Sequence, residues 1–399
     1  MRQSVIERAV RLPQAAIVAE EGAGTDLRLL VPALMLVAVG VAMVFSAGMP
    51  IAITHGSKDV FFYLKRELIF CAAGIVAMIW ASRRPMEWIE AKAGVIYAAV
   101  LVLLLGVHVL GNTVNGAKSW YTIPGIGLSF QPSEAAKLAL VIALARYFAK
   151  FPNGLRQWKH LAPPVLMMGL YCLSILKEPD MGTVAVIGIS MLIFFHMGGA
   201  KLSHLGALAG TAAAVAGAKI AREPYQLQRI VDWLIGGPER ALAGNYQMDR
   251  ALIALGSGGF TGCGYCGSIE KYFYLPEATT DAILAVLGEE LGLVATWAVV
   301  GLFAYLVWQG LRVAARAEDR FSGLVAAGVT CLFGVQALMN IAVVTGAAPT
   351  TGVTLPFVSY GGSSLLFSLM GVGLLLNVSR STRERSPAYA GGARRGRER

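Results

Sequence analysis

The chain is short of charge. Only 15% of its 399 residues are Asp, Glu, Lys or Arg, against 56% hydrophobic residues, whereas a soluble globular protein is about a quarter charged. With a mean hydropathy of +0.61, this composition excludes an ordinary soluble domain and places the chain in a bilayer. Cysteine is scarce too. Cys71, Cys172, Cys263, Cys266 and Cys331 do not make a disulfide framework, and three of them lie in apolar runs as small hydrophobes. The histidines His55, His108, His160, His196 and His204 are scattered without HExxH-type spacing and receive no role. Near Met1 there is no short apolar core of a cleavable signal peptide, so the first spanning helix is expected to act as its own uncleaved address. The net charge of +10 sits in short loops and tails rather than on one amphipathic face, which argues against nucleic acid as a partner.

Long apolar runs are what the chain has in abundance. A membrane-spanning helix needs roughly 17–25 mostly apolar residues. Candidate spans are 29–47, 67–82, 93–110, 134–149, 162–176, 182–199, 203–221, 282–308, 321–346 and 361–379. The run 134–149 is short and starts with Glu134 and Lys137; it is counted because the flanking loops otherwise fall on inconsistent faces. The expected fold is an all-α polytopic membrane protein of about ten transmembrane helices with both termini on one side. Arg83, Arg84, Lys92, Arg146, Lys150, Arg156, Lys159, Lys201, Arg312, Arg316 and Arg320 fall on the side of the termini, and the C-terminal tail adds more arginines. The opposite loops are poorer, with Lys58, Lys65, Arg66, Lys118 and Lys177. The positive-inside rule therefore predicts N-in and C-in.

This divides the chain into a cytoplasmic N-terminal tail (1–28), a transmembrane domain (29–380) and a basic cytoplasmic tail (381–399). One large extracytoplasmic loop, about 222–281, joins helices seven and eight. It holds Pro224, Pro238 and the glycine cluster GSGGFTGCGYCG from Gly256 to Gly267, which is loop-forming chemistry. Its stretch 226–236 mixes Leu227, Ile230, Trp233 and Leu234 with Arg229 and Asp232, a pattern that suits a helix lying at the interface. No fixed-period repeat or inverted repeat is evident, which lowers the expectation of a secondary transporter.

Four polar motifs are expected at the outer face. They are NGAKSWYTIPGIGLSFQPSEAAK (Asn115–Lys137), KEPDMGT (Lys177–Thr183), the stretch LPEATTDAILAVLGEEL (Leu275–Leu291) and PTTGVTLPFVSYGGSS (Pro349–Ser364). Each alone is explained by turn building. Their convergence over a helix bundle makes a ligand-site hypothesis. Ionisable groups at the edge of a membrane segment are costly and read as functional by default, and Asp281 stands at such an edge.

These motifs resemble those of the SEDS family of shape, elongation, division and sporulation proteins, the FtsW/RodA/SpoVE group, from about residue 30 to 380. The strings QPSEAAKLAL, PDMGT, LIALGSGG, FYLPEATTDAILAVLGEELG and TLPFVSYGGSS carry the resemblance. MVFSAG, LQRIVDWL and PTTGVTLPFVSYGGSS are closer to the division and sporulation branch than to the elongation branch. The resemblance implies a peptidoglycan glycosyltransferase that polymerises lipid II, an undecaprenyl-diphosphate-linked disaccharide-peptide, at the outer face of the bacterial cytoplasmic (inner) membrane. It also implies a class B penicillin-binding transpeptidase and other divisome or elongasome membrane proteins as partners. By the same resemblance Asp281 matches the family's essential aspartate. The chain departs from the pattern at Thr279, where the family usually has His, at Glu178, where Gln is common, and at Lys118, where Arg is common.

Glycosyl transfer from a diphosphate donor needs a base for the acceptor hydroxyl and positive charge for the leaving group. Asp281 is the candidate base. An Asp281–Glu289 glycosidase-like pair is disfavoured, because eight helical residues rise about 12 Å whereas paired glycosidase carboxyls sit about 5–9.5 Å apart. Glu289 and Glu290 read instead as interior polar groups bonded to neighbouring helices or to a Lys or Arg. Glu277 could share a divalent cation, Mg or Mn, with Asp281, since hard cations take carboxylate oxygens; no organic cofactor is implied. Candidates for the diphosphate are Lys137, Arg229, Arg250 and Lys271. Lys137 has the alternative of pairing with Glu134 one turn before it. Glu134, Asp180, Ser359 and Ser363 complete the candidate substrate-binding set. A lipid II flippase and a non-catalytic scaffold that recruits the transpeptidase are the rival functions. For Cys263 and Cys266, a local disulfide and two unpaired thiols both remain open.

Overall fold

The computed structural model describes residues 26–54, 59–114, 117–122, 128–152, 154–178, 180–222, 224–235 and 246–384. The expected tails lie almost wholly outside the described residues, as do Asn115, Gly116 and 123–127 of the first motif, Pro179 of the second and 236–245 of the large loop.

The chain is mostly helical. Helices α1 (Leu27–Thr54), α2 (Phe62–Arg83) and α3 (Met86–Leu110) come first, followed by strands β1 (Asn112–Val114), β2 (Ala117–Thr122) and β3 (Ser129–Phe130). Then come α4 (Pro132–Lys150), α5 (Trp158–Leu176), α6 (Met181–Met197), α7 (Leu202–Arg222), α8 (Pro224–Ile235) and α9 (Tyr246–Ser257). The last three are α10 (Ile283–Arg316), α11 (Arg320–Val344) and α12 (Gly362–Glu384). Among the described residues, seven helices are long and apolar enough to cross a membrane: α1, α3, α5, α7, α10, α11 and α12. Helix α6 is apolar but shorter. Helices α2 and α4 carry Lys65, Arg66 and Glu67, and Glu134 and Lys137, near their starts. A helix is expected at 226–236, and α8 is helical as far as Ile235.

Two expectations change. Lys65 and Arg66, expected in a loop, lie in α2, which begins at Phe62. The fold is also not purely helical, because the first polar motif builds a three-stranded antiparallel sheet in the order β1-β2-β3. Trp120, Tyr121 and Thr122 of β2 are aromatic or β-branched, types that favour a pleated, half-buried surface.

Packing follows side-chain size and polarity. Helix α4 is buried on every face from Pro132 to Ala145, and Ser133, Glu134 and Lys137 are buried with its apolar residues. Helix α12 lies against α2 so closely that a Cβ at Gly373 would meet the Met78 carbonyl oxygen at 2.4 Å; small residues allow such backbone approach between membrane helices. Helix α11 runs through the interior and carries buried Thr330, Gln336 and Asn340.

Helix α10 is in fact two helices. Gly292 has φ 77° and ψ −177°, a region that is essentially glycine-only. The glycine-rich loop after α9 fills the break. The Cys263 and Gly264 amides donate to the Glu289 and Glu290 carbonyls at 2.9 and 3.0 Å, while the Leu293 and Val294 amides donate to the Gly259 and Phe260 carbonyls at 2.9 and 3.3 Å. Backbone groups freed by the break are thereby paired, which irregular backbone in a membrane protein requires. The cluster 256–267 is therefore a plug for α10 and not merely a flexible connection. A Cβ at Gly292 would stand 2.4 Å from both the Gly262 nitrogen and the Phe260 oxygen. Gly292→Ala is expected to destabilise the chain by ~1–3 kcal/mol from backbone strain alone, read as a lowered unfolding temperature of the purified protein in detergent.

Candidate active site

Asp281 sits on the turns that precede α10, in a buried run from Asp281 to Glu290. It is two residues before the first helical residue, so it does not cap the helix. Its carboxylate accepts from Gln247 Nε2 of α9 at 3.1 Å and from Thr280 Oγ1 at 3.3 Å. Asn340 of α11 donates to the Asp281 carbonyl and to the Val353 carbonyl, both at 2.8 Å. Burial pushes the Asp281 carboxyl up to about 6; the Glu277 charge adds to the rise, while the bonds from Gln247 and Thr280 oppose it. Desolvation disfavours the charged form, so the group is poised to exchange a proton near neutral pH.

Glu277 is exposed, with φ +54°. Its Oε2 accepts from the same Thr280 hydroxyl at 2.8 Å. One hydroxyl proton serves one carboxylate at a time, so Glu277 and Asp281 compete for Thr280. These oxygens are the hard donors a divalent cation prefers. Among the described residues no three His, Cys, Asp or Glu side chains gather as a metal site, so oxygens from a bound phosphate group would have to complete any coordination.

Hydrogen bonds link the four motifs in series. The Tyr360 amide donates to the Thr279 carbonyl at 2.8 Å, and the Ser359 hydroxyl donates to the Thr280 carbonyl while accepting from the Leu355 amide. Ser359 thus clamps the fourth motif onto the Asp281 turn from a buried position. Ser363 accepts from the Gln131 amide at 2.9 Å, and Gln131 Nε2 reaches Asp180 Oδ2 at 3.4 Å. Asp180 also caps α6 by accepting from the Thr183 amide at 2.9 Å. Buried Lys137 donates to Glu134 at 2.9 Å and to Gln336 at 2.8 Å, and Gln336 in turn donates to the Thr354 carbonyl. Glu134 and Lys137 thus pair with each other across one helical turn.

Glu178 is buried, and neither carboxyl oxygen has a hydrogen-bond partner. Burial, reinforced by the Asp180 charge, pushes it up to about 8.

The remaining cations separate into two kinds. Lys271 has a fully buried side chain and donates to Glu290 at 2.8 Å and Ser46 at 2.9 Å. Its ammonium is directed inward, as the expectation for Glu290 required and as the diphosphate expectation for Lys271 did not. Glu289 likewise accepts from Ser268 and from the Ile269 amide. Arg250, by contrast, is 30% exposed, pairs with Glu270 at 3.3 Å and lies between the rings of Tyr246 and Tyr274. It is one helical turn from Gln247, so α9 presents both toward one side. Arg229 donates to the Thr350 carbonyl at 3.4 Å from the edge of the fourth motif. Cys263 and Cys266 are free thiols.

Gln247, Thr280, Asn340 and Tyr360 escaped the sequence reading. All are uncharged, and none has a spacing that marks it.

Fold and site together define a multi-pass helical membrane protein with a buried carboxylate, Asp281, bonded by Gln247 of α9 and by the neighbouring Thr280. The chain matches the FtsW/RodA/SpoVE family, described as cell cycle protein, over residues 27–384, and it belongs to that family. It is 39% identical over 360 residues to the Halomonas elongata protein named "Probable peptidoglycan glycosyltransferase FtsW", covering 89% of this chain and 90% of that protein. It is 37% identical over 374 residues to the stage V sporulation protein E of Bacillus subtilis, covering 90% and 98%. Among solved structures it is similar to a chain of a peptidoglycan synthase complex described as coordinating polymerization and crosslinking, at 27% identity and a TM-score of 0.74 over 90% of this chain and 98% of that one. It is also similar to the rod shape determining protein RodA of Thermus thermophilus, at 27% identity and a TM-score of 0.65 over 91% and 98%.

Proposed function

We propose that this chain is a peptidoglycan glycosyltransferase that polymerises lipid II at the outer face of the bacterial cytoplasmic membrane, in cell division or a related wall-building process. The observation that carries this reading is the buried Asp281 carboxylate on a turn that hydrogen bonds tie, in series, to the other three polar motifs, in a family whose relatives bear that enzyme name. Ten spans with N-in and C-in topology would place those loops outside, where a lipid-linked sugar is met.

In the proposed reaction Asp281 takes the proton of the acceptor sugar hydroxyl. That oxygen forms a bond to the donor anomeric carbon while the bond from that carbon to the diphosphate breaks, and the lipid diphosphate departs with the electron pair. Attack opposite the leaving group inverts the anomeric centre. Arg250, partly exposed and one turn from Gln247, is the cation best placed to meet the diphosphate, with Arg229 at the rim. If Mg or Mn takes part, Asp281 and Glu277 would hold it together with diphosphate oxygens, and it would neutralise leaving-group charge. A class B penicillin-binding transpeptidase is the proposed partner, consistent with similarity to a chain from a synthase complex.

The test supplies labelled lipid II to purified protein with and without the transpeptidase and measures glycan polymer against pH. A general base works only when deprotonated, and the Asp281 carboxyl is raised to about 6. Polymerisation is therefore expected to fall about tenfold per pH unit below that point and to level off above it. Lipid II crossing a vesicle bilayer without polymer would favour the flippase. Neither polymer nor transport, with partner binding retained, would favour the scaffold.

A further inference from the structure

The Arg250 guanidinium is framed by aromatic rings. Its central carbon lies 5.1 Å from the centre of the Tyr246 ring and 5.3 Å from that of Tyr274. Buried Glu270 pairs with it at 3.3 Å. A cation over an aromatic face is held by the ring quadrupole, so three groups from α9 and the turns before α10 fix one guanidinium. Tyr246, Gln247 and Arg250 all lie near the start of α9, and spacings of three and four residues put them on one face. Gln247 on that face bonds the Asp281 carboxylate at 3.1 Å. The framed cation therefore neighbours the residue that touches the candidate base.

Tyr274 reaches this place through a strained turn. Phe273, just before it, has φ +67°, a genuine outlier for a bulky residue. The Phe273 ring is 55% exposed, so its own burial does not offset the strain. Beyond the reversal, Leu275 is buried and its amide donates to the Glu270 carbonyl at 2.8 Å, while Tyr274 stays over Arg250. Backbone strain of this kind collects at ligand clamps. Tyr246 and Tyr274 remain 38% and 48% exposed, so both rings keep open area beyond what the guanidinium covers.

We propose that Tyr246 and Tyr274 form a stacking platform for the pyranose ring of the donor, whose diphosphate the Arg250 guanidinium holds. The proposal rests on the reading of the chain as a lipid II polymerase and adds the residues that grip the donor sugar. That sugar is joined to its diphosphate through a single oxygen, so a diphosphate on Arg250 brings the sugar up to the two flanking rings. A pyranose has an apolar C–H face and a hydroxyl edge, and tyrosine matches it with a flat apolar body and a polar tip. Held there, the donor ring stays in place while its bond to the diphosphate breaks and the acceptor hydroxyl approaches from Asp281. The alternative is an aromatic belt at the membrane–water interface, which makes no distinction between lipids with and without a sugar.

The experiment gives the full chain in detergent equal amounts of undecaprenyl diphosphate and of the same lipid carrying one N-acetylmuramyl ring without peptide. Retained lipid is read by native mass spectrometry. The sugar-bearing lipid is expected to be retained about fivefold over the bare diphosphate, the size of one aromatic stacking contact. Tyr274→Leu should erase most of that preference and leave retention of the bare diphosphate in place. Tyr274→Phe should keep the preference, because stacking uses the ring and not the hydroxyl. Tyr246→Leu reads the second ring in the same way if Tyr274→Leu fails to fold. Equal retention of the two lipids by the wild-type protein, or retention of neither, overturns the proposal. So does a Tyr274→Leu loss that falls on both lipids alike, because the ring then serves only to hold Arg250. No polymer is measured here, so such a failure leaves the enzymatic reading, which glycan synthesis decides, standing.

Discussion

Asp281→Asn is expected to lower lipid II polymerisation by ~10²-fold or more, the usual contribution of a positioned general base, while leaving the protein folded. The carboxamide is nearly isosteric. Thr280 can still donate to its oxygen, Gln247 can turn its own amide to accept from the new N–H, and the Asp281 backbone carbonyl keeps its bond from Asn340. Stability should move the other way. The carboxyl is raised to about 6 by burial, so the folded state holds its proton to higher pH than the unfolded chain does. Ionisation above pH 6 therefore costs the folded state, and Asn removes that cost at pH 7. Lost polymer with an unchanged or higher unfolding temperature would mark a chemical role. Polymer made at the wild-type rate would end the assignment of Asp281 as base. A parallel loss of folding would assign the residue to structure.

The residues that sequence could find at this site are those whose chemistry is expensive where they stand. A carboxylate at the threshold of a long apolar run announces itself, and so Asp281, Glu289, Glu290, Glu134 and Lys137 were all legible as types. Their partners were not. By sequence Lys271 reads as a possible diphosphate ligand, because nothing in its spacing relates it to Glu290, 19 residues later; only the turns from Ser268 to Ala282 fold it inward. Gln247 reaches Asp281 across 34 residues because α9 packs on α10, and a glutamine in a short helix has no sequence mark. The break at Gly292 was hidden for a related reason. One glycine in an apolar helical pattern is tolerated and common, and the groups that make this one a break, the carbonyls and amides of 259–264, lie a loop away. Periodicity reports each element's own preference. It is silent on exchanges of hydrogen bonds between elements, and this site is made of such exchanges.

Lys271→Met tests the most buried of these exchanges and is expected to destabilise the chain by ~3–5 kcal/mol. Both side chains of the Lys271–Glu290 pair are fully buried, and Glu290 also accepts from the Ser46 hydroxyl at 2.6 Å and the Cys266 amide at 3.1 Å. Removing the lysine leaves an uncompensated carboxylate beside the break in α10, which is worse than having no charges there at all. Lys271→Met combined with Glu290→Gln should therefore recover most of the loss, because the glutamine carbonyl can still accept from Ser46 or Cys266 and no net charge remains. Unfolding of the four proteins in detergent completes a double-mutant cycle whose coupling should be large. Polymerisation by the double variant separates structure from chemistry. If Lys271 serves only to neutralise Glu290, restored folding restores glycan synthesis. If it meets the diphosphate, the double variant is stable and inactive. The inward direction of its ammonium favours the first result.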